Sequence, residues 1–233
     1  MIELIPGPMD VVWGSVAAAV VYSAGVAVAV GGHARGLRTG DTRKLFHLMV
    51  FCGAGVLRTF APISAVVAYG AWGVLLILYA IRRGTGYPLF ESVARPEDGD
   101  QRGLNIFLSL ISTGAGGVLA HLLAGQAAVV SYLVGGCGDA LGEPIGIRWG
   151  KHPLPLRSKL LGRRTVEGSL GVLAGSFVAA MGGLMLLGVG PVSAGMRAAV
   201  IAPVVTMVEA ISPRGTDNFT IQVTTALVML AHW

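Results

Sequence analysis

Long apolar runs separated by short polar segments dominate the pattern along this chain of 233 residues. The runs approach the roughly 20 residues that an α-helix needs to cross a bilayer. They lie at residues 11–30, 45–61, 63–81, 104–124, 126–146, 166–189, 193–211 and 218–233. The pattern predicts an all-α, polytopic integral membrane protein of about eight transmembrane helices, within a range of about seven to nine, in one domain over residues 1–233.

Two of the runs are weaker than the rest. His47 and Arg58 lie in the second run, while the last is short and opens with Asp217 and Asn218. Pro203 lies inside the seventh run, where neighbouring helices can satisfy the carbonyl that loses its partner. All three runs are still predicted to be spans.

The composition supports the membrane assignment. Hydrophobic residues make up 54% of the chain and charged residues 12%, against about 25% charged residues in soluble domains. The 35 glycines would weaken soluble helices, whereas in a membrane small residues let helices approach closely. Cys52 and Cys137 stand in apolar surroundings, which argues against a disulfide framework and against a thiol metal site.

Basic residues are concentrated in four polar segments between the runs. Every Lys and Arg except Arg58 and Arg197 lies there: Arg35, Arg38, Arg43 and Lys44; Arg82, Arg83, Arg95 and Arg102; Arg148, Lys151, Arg157, Lys159, Arg163 and Arg164; and Arg214. The positive-inside rule places these segments in the cytoplasm, which puts both termini outside. We therefore interpret the net charge of +5 as membrane topology and not as a sign of a nucleic-acid partner.

Carboxylates are unfavourable in a bilayer, because inserting a charged residue at its centre costs a free energy of about 2.5–3.5 kcal/mol on insertion scales. Several nevertheless lie near the predicted cytoplasmic ends of the last four runs: Asp139, Glu143, Glu167, Glu209 and Asp217. Their common depth on one side of the membrane predicts a functional site there.

Asp139 and Glu143 are four residues apart and therefore share one face of a helix. Like charges in that arrangement repel each other unless a cation lies between them. Mg²⁺ prefers carboxylate oxygens and completes its coordination with waters and substrate phosphates. The alternative is that the carboxylates form interfacial ion pairs with Arg148, Lys151 or Arg164.

Glycine is dense around these two carboxylates, in the segment GGCGDALGEPIGIRWGKHPLP at residues 135–155. The glycines nearest to them are Gly138, Gly142, Gly146 and Gly150. Glycine lets a backbone approach phosphate, and Lys151 follows as a cation. Pro144 is predicted to end the helix just after Glu143 and to free nearby carbonyls. The segment does not match the Walker pattern, and its alternative interpretation is a GxxxG-type packing helix before a basic loop.

Two further motifs flank helices. In RRTVEGSLG at 163–171, Thr165 is predicted to cap a helix that has Glu167 in its first turn, a position where anions are favoured. The alternatives are that Glu167 only complements the helix dipole and that Ser169 only packs.

In RKLFH at 43–47, the sequence predicts that His47 contacts a phosphate or hydroxyl or accepts a proton. The alternative is that His47 is a hydrogen-bonded structural group.

A last motif, VEAISPRGTDNFT, joins the seventh and eighth runs. Glu209 closes the seventh run inside an apolar stretch, which favours a functional role. Asp217 and Asn218 open the eighth run, either as site residues or as N-caps.

The order RKxxH, GDxxxE with two glycines, TxEGS, VE and DN resembles the motif series of the CTP-dependent polyprenol kinase family. This family includes dolichol kinases, phytol and farnesol kinases and the CTP-dependent diacylglycerol kinase, and is more distantly similar to phosphatidate cytidylyltransferase. The resemblance runs from about Arg43 to Thr220. It implies a transmembrane catalytic domain that uses Mg²⁺ as cofactor and CTP as phosphate donor.

The resemblance also implies roles for individual residues. It implies metal ligation by Asp139, Glu143, Glu209 and Asp217, and catalytic roles for Asp139, Glu143, Glu167 and His47. The implied nucleotide- or phosphate-binding positions are Arg43, Lys44, Gly138, Gly142, Gly146, Gly150, Lys151, Arg164, Thr165, Gly168 and Ser169. Asn218 completes the implied site.

The implied activity is that of a lipid-alcohol kinase, which moves the γ-phosphate of CTP to a polyprenol-type hydroxyl at the cytoplasmic face. The chain departs from many family members at Gly142, Ile147, Arg164 and Gln222, which leaves the subfamily open. The alternatives are a cytidylyltransferase acting on a phospholipid such as phosphatidate, a diacylglycerol kinase, and a lipid transporter or scramblase that is not an enzyme.

Overall fold

The computed structural model describes residues 4–155, 164–213 and 215–232, and within them the chain folds into helices without a β-strand. The all-α prediction is therefore confirmed for this part of the chain. The α-helices are α1 (Pro8–Ala34), α2 (Thr39–Phe60), α3 (Ile63–Arg83), α4 (Pro88–Val93), α5 (Arg102–Ala124), α6 (Ala128–Trp149), α7 (Val166–Leu186), α8 (Pro191–Ile211) and α9 (Asp217–His232). Short 3₁₀ helices lie at Pro96–Gln101 and Gly125–Ala127.

The long helices coincide with the predicted runs to within four residues at each end, except that α2 begins six residues before its run. α4 and the 3₁₀ helix Pro96–Gln101 were not predicted, since they lie within the polar segment 82–103. α4 has only 6 residues, too few to show a helical period in the sequence. It is held by burial of Leu89, Phe90 and Val93.

Five helical stretches in the described chain are long and apolar enough to cross a membrane. They are Pro8–Ala34, Ile63–Arg83, Pro96–Trp149, Val166–Leu186 and Pro191–Ile211. The third contains both α5 and α6. α2 is not among them and carries Asp41, Arg43, Lys44 and Arg58. α9 has 16 residues, which gives about 24 Å of helix against a hydrocarbon core of roughly 30 Å.

Most buried positions of α1 hold small residues, whereas α1, α7 and α8 expose large apolar side chains, which is the arrangement expected in lipid. The buried positions of α1 are Gly14, Ala18, Tyr22, Gly25, Ala29 and Gly32. The same helix exposes Val16, Val20 and Val28, and α7 and α8 expose Val178, Leu186, Val192 and Met207. Extensive exposed apolar faces are rare on soluble monomers, so these helices are those of a membrane protein.

The chain divides into two compact units, Met1–Ile111 and Ser112–Trp233, with the boundary inside α5. The first unit is built around two stacked rings, Tyr22 and Tyr69, whose centroids lie 4.8 Å apart. The Tyr22 hydroxyl donates to the Tyr69 carbonyl at 3.0 Å, and the Tyr69 hydroxyl donates to the Val50 carbonyl at 2.9 Å. These bonds satisfy the two phenols inside an apolar core.

α4 lies against the start of α2 through hydrogen bonds to its backbone. The Thr42 hydroxyl donates to the Ser92 carbonyl at 2.6 Å, and the Thr39 hydroxyl donates to the Glu91 carbonyl at 3.1 Å. The Glu91 carboxylate also accepts a hydrogen bond from the Arg102 guanidinium at 2.6 Å. This bond lowers the pKa of Glu91 below its usual range.

The second unit is centred on α6, in which every residue from Ala128 to Gly136 is buried. Glycines on α6 and α7 bring the two helices together along a line that we call the glycine seam, formed by Gly138, Gly142, Gly146, Gly168, Gly171 and Gly175. A Cβ atom at Gly175 would lie 2.6 Å from the Cys137 carbonyl oxygen, and one at Gly168 would lie 3.1 Å from the Gly142 carbonyl oxygen. At Gly168 and Gly175 the helix backbones therefore face each other directly, whereas at Gly138 and Gly142 the side chains of Ser176 and Val172 fill the space.

Alanine at Gly175 should lower the stability of the protein, because the added methyl group collides with backbone that cannot move aside alone. We expect a loss of about 1–3 kcal/mol. Gly182, on the same helix, has no atom within 4 Å of the corresponding position. Gly182→Ala is the matched control, and it should be neutral or stabilising by about 0.5–1 kcal/mol. Thermal unfolding in detergent measures both, and equal effects would contradict the proposed contact.

Candidate functional site

The end of α6 meets the start of α7 at Thr165. A Cβ atom at Gly146 would lie 3.1 Å from the Thr165 hydroxyl oxygen, and one at Gly150 would lie 2.8 Å from it. The same oxygen accepts a hydrogen bond from the Gly168 N–H at 3.1 Å. The predicted N-cap of α7 is therefore confirmed, and Ser169 follows in the first turn.

Residues that follow α6 pair with residues that precede α7 across a short antiparallel bridge between Pro153 and Thr165. The Leu154 N–H donates to the Arg164 carbonyl and the Val166 N–H donates to the His152 carbonyl, both at 2.9 Å. This pairing fixes the backbone of Arg164 next to the cap. It also brings together residues that are ten or more positions apart in sequence.

Glu167 is paired with His152, which the sequence analysis did not identify. His152 Nδ1 and Glu167 Oε1 lie 2.7 Å apart, and the His152 N–H donates to Glu167 Oε2 at 3.3 Å. His152 is 76% exposed and Glu167 is 22% exposed. No periodicity links two residues on either side of a polar segment, so only the backbone pairing identifies His152 as the partner of Glu167.

Arg164 forms an ion pair with Glu209, and this contact joins the start of α7 to the end of α8. The Glu209 side chain is 3% exposed and the Arg164 side chain is 21% exposed. Two residues that the sequence analysis assigned to different tasks, phosphate binding and metal binding, are thus direct partners. The sequence raised ion pairing only for Asp139 and Glu143, so the pairing of Glu209 with Arg164 was not predicted.

The start of α9 contacts both the end of α8 and the middle of α5. The hydroxyl oxygens of Ser212 and Thr220 lie 2.6 Å apart. The Asn218 amide donates to the Thr113 hydroxyl at 2.8 Å, while Asp217 Oδ1 accepts from the Asn218 N–H at 3.0 Å. Within the described residues, the buried oxygen of Asn218, Oδ1, has no hydrogen-bond partner. The Asn218 amide nitrogen thus joins α9 to α5, and its side-chain oxygen can still accept a hydrogen bond.

The prediction that Pro144 ends the helix is wrong. α6 continues through Pro144 to Trp149, with Asp139 and Glu143 one turn apart on it. Proline lacks the N–H that would reach the Ala140 carbonyl, but packed membrane helices tolerate such a loss. Asp139 is buried at 5% exposure, and Glu143 is half-buried. The two carboxylates therefore project from one rigid helix and not from a broken end.

The glycines assigned to phosphate binding lie in helix contacts. Gly138, Gly142 and Gly146 belong to the glycine seam, and Gly150 follows α6 against Thr165. This geometry matches the packing alternative, and their contact with a nucleotide stays a prediction. Lys151 is exposed just beyond α6.

The candidate residues of the first unit lie on α2. The Arg43 guanidinium donates to the Ser109 hydroxyl at 2.8 Å, and Lys44 is buried at 6% exposure. The His47 ring packs against Phe51 with centroids 4.3 Å apart. Their roles toward phosphate or a proton stay predictions. Four residues of the basic segments lie outside the described residues: Arg157, Lys159, Arg163 and Arg214.

The donors assigned to Mg²⁺ are four carboxylates, those of Asp139, Glu143, Glu209 and Asp217. Among the described residues, no group of three or more His, Cys, Asp and Glu side chains could hold a metal ion by itself. Mg²⁺ at nucleotide sites needs only one or two carboxylates, since waters and substrate phosphates supply the other ligands. Asp139 and Glu143 offer two carboxylates on one helix face, so this donor pair fits the chemistry of the ion.

Comparison with known proteins does not assign the chain to a family. No family model matches it, and neither a curated protein nor a solved structure matches it.

Removing the cap at Thr165 should destabilise the start of α7. Thr165→Ala loses the oxygen that accepts from the Gly168 N–H, which should cost about 1 kcal/mol. Thr165→Ser keeps that oxygen and should remain within about 0.5 kcal/mol of wild type. Thermal unfolding in detergent compares the two. A Ser variant as unstable as the Ala variant would show that the methyl contact matters more than the cap.

Proposed function

We propose that the protein is an integral membrane lipid-alcohol kinase that transfers the γ-phosphate of CTP to a polyprenol-type hydroxyl. One observation carries the proposal: one end of the second unit gathers Arg164, Thr165, Glu167 and Glu209 around the junction of α6, α7 and α8. These residues belong to the motifs whose order resembles the polyprenol kinase family. The apolar helices around them supply a lipid-facing environment.

The proposed topology places this end of the second unit at the cytoplasmic face. It treats all of the long helices, including α2 and α9, as about eight spans with both termini outside. In this arrangement, CTP reaches the site from the cytosol. The lipid alcohol lies among the helices with its hydroxyl at the interface.

In the proposed reaction the γ-phosphoryl group passes from CTP to the lipid hydroxyl, and CDP leaves. Phosphoryl transfer depends mainly on positioning and on compensation of negative charge. The Arg164 guanidinium can donate to phosphate oxygens in a planar, directional way. In this proposal Glu167, which contacts His152, lies at the interface and accepts the proton of the lipid hydroxyl.

Asp139 and Glu143 would hold Mg²⁺, which neutralises phosphate charge when it is bound. Burial of Asp139 at 5% exposure keeps its carboxylate away from bulk water, where its interaction with a cation is stronger. The rigid course of α6 through Pro144 fixes the spacing of the two carboxylates.

The position of the transferred phosphorus separates the kinase from a cytidylyltransferase. Purified protein in detergent would receive Mg²⁺, mixed lipid alcohols, diacylglycerol and phosphatidate, with CTP labelled at the α or the γ phosphorus. We expect only the γ label to enter lipid, with a polyprenol-type alcohol as the best acceptor. Entry of the α label would indicate a cytidylyltransferase, and preference for diacylglycerol a diacylglycerol kinase. Transfer of neither label would favour a transporter or scramblase.

Asp139→Asn should abolish turnover while the protein still folds and inserts. The variant preserves the shape of the side chain but removes the charge that would hold the metal, so we expect a loss of at least about 100-fold. Asp100→Asn, at an exposed position of a 3₁₀ helix, is the matched control and should retain activity. Near-normal transfer by Asp139→Asn would contradict the metal assignment.

A further inference from the structure

We infer that Glu209 acts as a positioning residue for Arg164 and does not bind the metal. The inference rests on the proposed function and replaces the metal role that the motif resemblance implies for Glu209. It starts from the ion pair between the two side chains, of which the carboxylate is the more deeply buried member.

The location of Glu209 requires a cationic partner. Glu209 lies in the last turn of α8, where the negative end of the helix dipole disfavours a carboxylate. Its residue exposure is 2%, and a buried charge is strongly destabilising unless it is paired. Arg164 supplies that pairing from the start of α7.

Arg164 is held at two points and still has donors available. Its carbonyl accepts from the Leu154 N–H at 2.9 Å, and its head group meets Glu209. A guanidinium has five N–H donors, of which a carboxylate engages at most two in a bidentate pair. Because the Arg164 side chain is 21% exposed, the guanidinium N–H groups that do not contact Glu209 can reach an anion next to the α7 cap.

A carboxylate that neutralises a guanidinium is a poor ligand for a divalent cation. Mg²⁺ bound to Glu209 would lie close to the positive charge of Arg164, and like charges at such distances repel. The proposed site therefore has two parts, one that binds the metal and one that binds phosphate. Asp139 and Glu143 face the metal, whereas Arg164, oriented by Glu209, faces phosphate.

Two readouts distinguish positioning from metal binding: the affinity for CTP in EDTA and the Mg²⁺ concentration at half-maximal transfer. Glu209→Gln keeps the side-chain shape but loses the charge that orients Arg164. We expect the metal-free affinity for CTP to fall about 10-fold or more, because an Arg164 side chain that Glu209 no longer orients makes weaker charge-assisted hydrogen bonds to phosphate. The Mg²⁺ midpoint should stay unchanged. The opposite pattern, with normal metal-free affinity and a raised Mg²⁺ midpoint, would overturn the inference.

The double variant Arg164→Gln, Glu209→Gln tests whether the two residues act together. We expect it to bind CTP in EDTA no more weakly than Arg164→Gln alone, whereas additive losses would overturn the inference. Removing both charges leaves no unpaired buried ion, so the double variant remains measurable if Glu209→Gln fails to fold. Glu97→Gln, at an exposed site, is the control for loss of a carboxylate.

The wild-type protein separates this inference from the proposed function. If wild type binds CTP and transfers its γ label but Glu209→Gln behaves like wild type, the positioning role fails and the kinase assignment stands. If wild type binds no CTP, both fail. Thermal unfolding of the two single variants and the double variant adds a readout that needs no nucleotide, and an absence of coupling there would also overturn the pairing.

Discussion

Direct backbone contact between α6 and α7 is the constraint on which the second unit depends. In a bilayer the hydrophobic effect does not drive helices together, so association relies on close packing of small residues. The glycine seam provides that packing over several turns. Because backbone meets backbone at Gly168 and Gly175, the start of α7, with Thr165 and Arg164, is held close to the part of α6 that carries Asp139. The candidate site is therefore a consequence of the seam.

Much of the fold could be predicted because its signals are local. An apolar run of about 20 residues must be helical in lipid, since every backbone group has to be satisfied within the segment, and the long helices follow these runs. The Thr165 cap was likewise predictable, because threonine is a favoured N-cap residue and Thr165 directly precedes an apolar run. These signals did not predict α4, because its 6 residues are too few to show a helical period. Burial of its apolar side chains holds it in place.

The candidate site was less predictable because partner choice is not local. The sequence placed Arg164 and Glu209 near the same membrane face but could not show that they pair. His152 was missed because its partner, Glu167, is reached only through the bridge at Pro153 and Thr165. Pro144 was misjudged for a related reason. The rule that proline ends a helix holds for isolated segments, whereas α6 is supported on several sides by its neighbours.

The bridge before α7 also gives the start of that helix an anchor that does not depend on the Thr165 side chain. The Leu154 N–H donates to the Arg164 carbonyl, and the Val166 N–H donates to the His152 carbonyl. These two bonds hold the residues on either side of Thr165 to the chain that follows α6. Backbone hydrogen bonds are independent of side-chain identity, so side chains at this place can change while the backbone that carries Arg164 keeps its course.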